Sequence, residues 1–299
     1  MGENFDFTIV SETEAAALTN IDDAVTEIKR IEKLISSWDE NSETSLINKN
    51  AGLKPVQVSI ELFQLIQRAI QLSEFTSGAF DITYASMNTV WKFDGSLKNI
   101  PTHKEILNSI EKVDYKNIVL DVEKLTVFLK NSGMKISFDA IGKGYAADKA
   151  KELMKSKKVF AGTINASGDL TTWGRQASGE KWILGVFNPV NQEEILKWLP
   201  MNESAVSTSR NFDKFIEFNG EKFSHIIDPR TGYPTKDIKK VSVFSKSAEL
   251  CDALATAVFS MGITTSLALI NQHKNIEIII VDSENKIHTS EGILLENPN

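Results

Sequence analysis

A chain of 299 residues with 41% hydrophobic and 24% charged residues has the composition of a folded globular protein and argues against long disordered stretches. Its 33 basic and 40 acidic residues leave a net charge of −7, which repels phosphate backbones and excludes broad nucleic-acid binding, so a phosphate-bearing ligand would need a local cradle or a metal. A single cysteine, Cys251, excludes an intramolecular disulfide and a cysteine-rich metal site, and no apolar run reaches the length of a membrane span.

In chain order, Phe5 to Val10 alternates like a strand and follows the N-terminus almost at once, with no signal peptide before it. Ile21, Val25, Ile28, Ile31, Leu34 and Ile35 recur at helical spacing, with Asn20 placed to cap. A polar loop covers 36–43. Ser59 opens a second amphipathic helix through Leu62, Phe63, Ile66, Ile70 and Phe75 that stops near Gly78. Strands are expected within 115–137, at Val119 to Val122 and Leu125 to Leu129. A helix follows over 142–157, then a buried strand at 162–165 and several short strands from Trp182 to Ile227. Ser247 can cap a helix running to Met261, and a short helix over 264–270 and a strand over 276–281 close the chain. There is no regular βαβ rhythm, linker or repeat. The expected fold is α+β, mostly antiparallel sheets packed with helices, as one compact unit over residues 1–299.

Three segments could carry chemistry. Asp252 and Thr256 stand at i and i+4 of the expected 247–261 helix, so a carboxylate and a hydroxyl share one face, a fair partial site for Mg²⁺. The plainer reading is an acid favoured near a helix N-terminus. The stretch from Asp139 to Ala146 puts two glycines and Lys143 where a strand enters a helix, a place that presents free N–H groups to an anion, or simply a turn with a solvated lysine. In the segment from Phe223 to Pro234, His225 could act as a base at neutral pH, or stand as a structural histidine at a strand end. Asn165 to Asp169 is not a G-x-S-x-G nucleophile elbow, which leaves a serine hydrolase little support.

Taken together and in order, these segments resemble the ApbE family, the FAD:protein FMN transferases. Met1-Gly2 is similar to the family's opening, and Ser37-Trp38, Asn41 to Glu43 and Asn48 to its S-T-Y…S-E-I…N loop. Gly78 to Thr83 matches G-A-F-D-I-T, and Ile141 to Ala146 is similar to I-A-K-G-Y-A. Asn165 to Asp169 looks like N-A-G-G-D. Ser207 to Ser209, His225 to Pro229 with Thr231-Gly232, and Asp252 to Thr256 complete the set. The resemblance implies a T-fold-type, two-lobed unit that transfers the FMN half of FAD to a Ser or Thr hydroxyl of another protein and releases AMP. It implies Mg²⁺ on Asp252, Thr256 and the carbonyl of Ala140. FAD would be lined by Met1, Trp38, Ala79, Phe80, Asp81, Ser137, Lys143 and Ile226, with His225 beside the reacting phosphate.

It also implies an acceptor with a D-G-x-x-S/T-x-A-T type motif, such as a redox membrane subunit or a flavin-carrier domain. The expected location is the periplasmic side of the cytoplasmic membrane, as a lipoprotein whose leader is absent from this sequence, with the cytoplasm as the alternative. Three departures bear on the site. Ser137-Phe138-Asp139-Ala140 replaces Asp-Leu-Gly-Gly, which would weaken an adenosine contact unless Asp139 compensates. Trp38 replaces a common Tyr and keeps a stacking surface. Arg210 stands where Gly is frequent, either adding charge near the phosphates or crowding the acceptor. Cys251, often Ala, reads as small helix packing. The alternatives are an FAD pyrophosphatase yielding FMN and AMP, and a non-catalytic FAD-binding protein.

Overall fold

A computed structural model describes residues 4–294 except 89, 95, 98, 189, 191–193, 212–214 and 219. The first strand, β1 (Phe5–Val10), leads into α1 (Glu14–Ile35), which begins well before Ile21. The cap is Thr13, whose side chain accepts from the Ala16 N–H, so Asn20 lies inside the helix. The run Ala15-Ala16-Ala17-Leu18 has high helix propensity but little apolar periodicity, which is why spacing alone starts the helix late. A short helix, α2 (Glu43–Lys49), follows the polar loop, then β2 (Val56–Gln57) and α3 (Ile60–Phe75), capped by Ser59 as expected. A 3₁₀ turn covers Ile82–Ser86. Next comes α4 (His103–Ser109), held by a Thr102–Glu105 capping box.

Strands β3 (Ile118–Asp121) and β4 (Thr126–Leu129) join β2 in a small antiparallel sheet. Beyond them lie α5 (Gly142–Ser156), β5 (Ala161–Ala166), β6 (Asp169–Trp173), β7 (Trp182–Phe187), β8 (Ile195–Met201) and β9 (Ala205–Arg210). The hairpin β10 (Phe215–Phe218) and β11 (Glu221–Ser224) precedes β12 (Ile238–Ser245), α6 (Ala248–Met261) and α7 (Ile263–Ile270). The strands β13 (Glu277–Asp282) and β14 (Ile287–Thr289) end the described chain.

The main sheet has seven strands in the order β1-β5-β6-β9-β12-β13-β14, and every pairing in it is antiparallel. Alternation along the strands gives it two unlike faces. One face presents Ile164, Trp173, Ala205, Val241, Val243, Ile278 and Ile280, all buried in the main core with residues of α5 and α6. Full burial of each large aliphatic chain contributes roughly 1.5–3 kcal/mol. The two helices are pressed together at Gly144, where an added Cβ would stand 2.1 Å from the Ala248 carbonyl oxygen. Glycine is required there for the approach of two backbones. The other face of the sheet meets the β7–β8 hairpin across a cleft. A second, smaller apolar cluster joins Trp91, Ile106, Ile216, Phe223 and Ile227, and the Trp91 indole N–H donates to the Gly232 carbonyl at 2.9 Å.

Candidate functional site

The site forms where the N-terminus of α5 meets α6 and the start of β6. Ile141, at the N-cap of α5, provides no side-chain cap; its N–H and that of Gly142 donate instead to the Phe138 carbonyl, at 3.1 and 2.7 Å. Gly144 is the third residue of α5, so its N–H has no carbonyl partner within the helix; it donates to Asp252 Oδ2 at 3.0 Å. The glycine pair therefore serves chiefly to seat α5: Gly144 against Ala248 and Asp252, and Gly142 against Ile35.

Lys143 points between two buried acids. Its Nζ lies 3.2 Å from Asp169 Oδ2 and 3.6 Å from Asp252 Oδ1. The Ser207 hydroxyl donates to Asp169 Oδ1, and the Cα register pairs those two residues across β6 and β9. Burial pushes the Asp252 carboxyl above its usual range, Asp169 pushes it further, and Lys143 offsets part of this. Burial works against charge on Lys143, but Asp252 and Asp169 together outweigh it and hold the ammonium above its ordinary value. Two buried carboxylates sharing one lysine are short of positive charge, so a further cation would be welcome.

Thr256 lies one turn beyond Asp252 on α6, half-buried, and its hydroxyl makes no hydrogen bond among the described residues. Asp252, Thr256 and the Ala140 carbonyl each offer a hard oxygen of the kind that could hold Mg²⁺. Cys251, beside Asp252, is fully buried against Ser245 and the Ala205 carbonyl. Burial pushes its thiol up to about 12, so it packs rather than reacts.

A backbone tie joins some of the expected flavin-site residues. The Ser137 N–H donates to the Ile82 carbonyl at 3.0 Å, joining the segment before α5 to Ala79, Phe80 and Asp81. Asn48 on α2 clamps Ile136 from both sides, its amide donating to the carbonyl at 3.0 Å and its oxygen accepting from the N–H at 2.8 Å. Ala79 and Phe80 are buried. Asp81 is committed to the protein: Oδ1 accepts from the Thr83 N–H and hydroxyl, and Oδ2 from the Tyr115 N–H. Ser137 Oγ accepts from the N–H of Asp139, whose own side chain is exposed. Trp38 is 87% exposed, a free aromatic face beside the loop. Met1 lies outside the described residues.

His225 follows β11 directly, and Ile226 packs half-buried against the main core. The turn beyond them is fixed by Asp228, which accepts from the Arg230 N–H and guanidinium. Arg230 in turn donates to the Ser260 carbonyl at 2.6 Å, one turn past Thr256, so the His225 loop is moored to the C-terminal part of α6. Arg210 stands on the face of the sheet away from α5 and α6, in the cleft under the β7–β8 hairpin. Sequence reasoning gave Asp169, Asn48 and Lys240 no separate role. The signals for Asp169 were its place at the end of the Asn165–Asp169 motif and an acid opening a strand of buried threonines and Trp173, where an unpaired charge would be costly.

The chain is thus an α+β protein whose antiparallel sheet is covered by helices, with a lysine-bridged acid pair at the N-terminus of one of them. The ApbE family model matches residues 1–280, and the chain belongs to the ApbE family. It is 29% identical over 262 residues to the FAD:protein FMN transferase of Klebsiella pneumoniae strain 342, covering 87% of this chain and 81% of that one. It is 26% identical over 290 residues to the FAD:protein FMN transferase of Treponema pallidum strain Nichols, covering 92% and 80%. The crystal structure of the ApbE protein from Thermotoga maritima superposes with a TM-score of 0.85 at 28% identity, covering 97% of this chain and 94% of that one. The apo flavinyl transferase ApbE of Pseudomonas stutzeri shares the fold, with a TM-score of 0.83 at 22% identity, covering 96% and 91%.

Proposed function

We propose that this chain is an FAD:protein FMN transferase: it moves the FMN half of FAD onto a Ser or Thr hydroxyl of an acceptor protein and releases AMP. The observation that carries the reading is the buried Lys143–Asp169–Asp252 cluster, set beside the Thr256 hydroxyl and the Ala140 carbonyl, in a chain whose relatives bear that activity in their names.

In this reading Asp252, Thr256 and the Ala140 carbonyl would hold Mg²⁺, which would supply charge neutralisation at the pyrophosphate when bound. The Lys143 ammonium stabilises charge developing on the phosphoryl oxygens. Ala79, Phe80, Ser137 and Ile226 shape the flavin and adenosine contacts, and the exposed indole of Trp38 offers a stacking face. The acceptor oxygen forms a bond to the flavin-side phosphorus while the anhydride bond to AMP breaks. His225 takes the hydroxyl proton, and AMP leaves with the bridging oxygen.

Intact-protein mass spectrometry of an acceptor domain bearing a D-G-x-x-S/T-x-A-T motif, mixed with FAD, Mg²⁺ and this protein, tests the reading. A mass gain of one FMN that EDTA abolishes is expected. Free FMN and AMP without an adduct would make the enzyme a pyrophosphatase, and neither product would leave an FAD-binding protein. Asp252→Ala should cut transfer on the order of 10³-fold while the fold persists. His225→Ala should slow transfer by about 10²-fold or more with FAD affinity unchanged, and an unaltered rate would remove His225 from the mechanism.

A further inference from the structure

The cleft between the outer face of the main sheet and the β7–β8 hairpin, of about 250 Å³, has a charge pattern the transfer site does not explain. Its floor carries Arg210 on β9 and Lys240 on β12, which face each other as Cα partners in the antiparallel register. Like charges directly opposite one another destabilise a sheet. No described residue forms an ion pair with either, although the chain as a whole has a net charge of −7. Lys240 is half-buried, and burial and then Arg210 lower its pKa. The walls are apolar, with Leu184 and Phe187 from the hairpin and Ile279 and Val281 from the sheet. Its lining residues Gly168 and Thr208 are the chain neighbours of Asp169, one of the lysine-bridged acids, and of Ser207, whose side chains lie on the opposite face of the sheet.

We propose that this cleft docks an extended, acidic and apolar segment of the acceptor polypeptide, with Arg210 and Lys240 receiving its carboxylate and the hairpin covering its apolar side chains. The proposal rests on the transferase reading. An acceptor polypeptide contacts the protein beyond the one hydroxyl it presents, and this cleft combines unneutralised positive charge with an apolar slot complementary to an acidic, apolar segment. A small free anion would satisfy the cations but leave the apolar walls unused. The location also settles what Arg210 does in place of the family's frequent glycine: it lines the docking cleft rather than the phosphate site.

Fluorescence anisotropy of a labelled decapeptide alternating Asp or Glu with Leu or Val tests the cleft, against a control peptide with Lys in place of the acids. The acidic peptide should bind the full chain, and binding should fall about tenfold in R210Q/K240Q and at high salt. In the transfer assay R210Q/K240Q should raise the acceptor KM about tenfold, with kcat and FAD affinity unchanged. Equal peptide binding by the parent and R210Q/K240Q would overturn the proposal. So would inorganic phosphate binding as tightly as the peptide, or a self-association that R210Q/K240Q abolishes. The two readings fail separately. If the parent protein forms no adduct, the transferase reading falls and the acceptor is lost as occupant; adduct formation with an unchanged acceptor KM in R210Q/K240Q removes the cleft alone.

Discussion

On the face of the main sheet covered by α5 and α6, two acids are buried and a lysine from the covering helix is placed between them. On the opposite face two cations sit in register with no carboxylate partner among the described residues, beneath a hairpin that leaves a cleft. The same strands, β6, β9 and β12, supply both faces, because alternate residues point to opposite sides. The difference is in what each face completes for itself. The helical face nearly balances its own charge, with one ammonium between two carboxylates. The hairpin face leaves its charge to be balanced from outside. Close packing without water favours fixed, short-range electrostatics, whereas an open cleft keeps charge available for a partner.

The comparison breaks first at Gly144. Replacement by Ala puts a Cβ 2.1 Å from the Ala248 carbonyl oxygen, so α5 must move off α6. A loss of about 3 kcal/mol or more in urea unfolding is expected, together with lost transfer. An unchanged midpoint would mean that the helices are not seated there. Lys143→Met removes the shared cation and strands Asp169 and Asp252. It should cost about 2 kcal/mol, below the range for a fully enclosed pair because Lys143 keeps some solvent contact. In that variant, Mg²⁺ should raise the melting temperature more than it does in the parent, and equal shifts would separate the acid pair from metal binding.

A smaller effect belongs to the outer layer of the helical face, where Glu61 accepts hydrogen bonds from Arg30 and from the Tyr145 hydroxyl. The Arg30 bond lowers the Glu61 pKa most, burial raises it, and Tyr145 lowers it again, with a net fall below its ordinary value of 4.5. Because the folded value lies below the unfolded one, Glu61 stabilises the fold at neutral pH, and the contribution disappears as pH falls from 4.5 through the folded value. Glu61→Gln should therefore cost at most about 1 kcal/mol at pH 7, with the gap to the parent closing in acid melts. The smallest effect has the opposite sign: Arg210→Thr relieves the like-charge pair and should raise stability by about 0.5 kcal/mol. A loss of stability instead would show that Arg210 has a structural partner.

Much of the fold was legible because single elements carry local signals. Ser59 and Ser247 cap helices where their positions indicated, and β3, β4 and β13 lie where strands were expected, whereas β12 was not anticipated. The short helices α2 and α4 escaped notice, although the Thr102–Glu105 box was present to be read, because seven residues hold too few apolar positions to establish a period. The start of α1 was missed for a related reason: alanine favours helix without marking a face.

By itself, the sequence determined the local elements, the shared face of Asp252 and Thr256, and the ordered motifs that mark the ApbE family. Only the tertiary structure decided that Gly144 serves a helix contact and that its N–H, unpartnered within the helix, donates to Asp252. The same holds for the pairing of Asp169 with Lys143 and for the placement of Arg210 beside Lys240 on the far face. These facts join residues tens to more than a hundred positions apart. Periodicity and capping act over a few residues along the chain, whereas burial and charge depend on which strands and helices come to lie side by side.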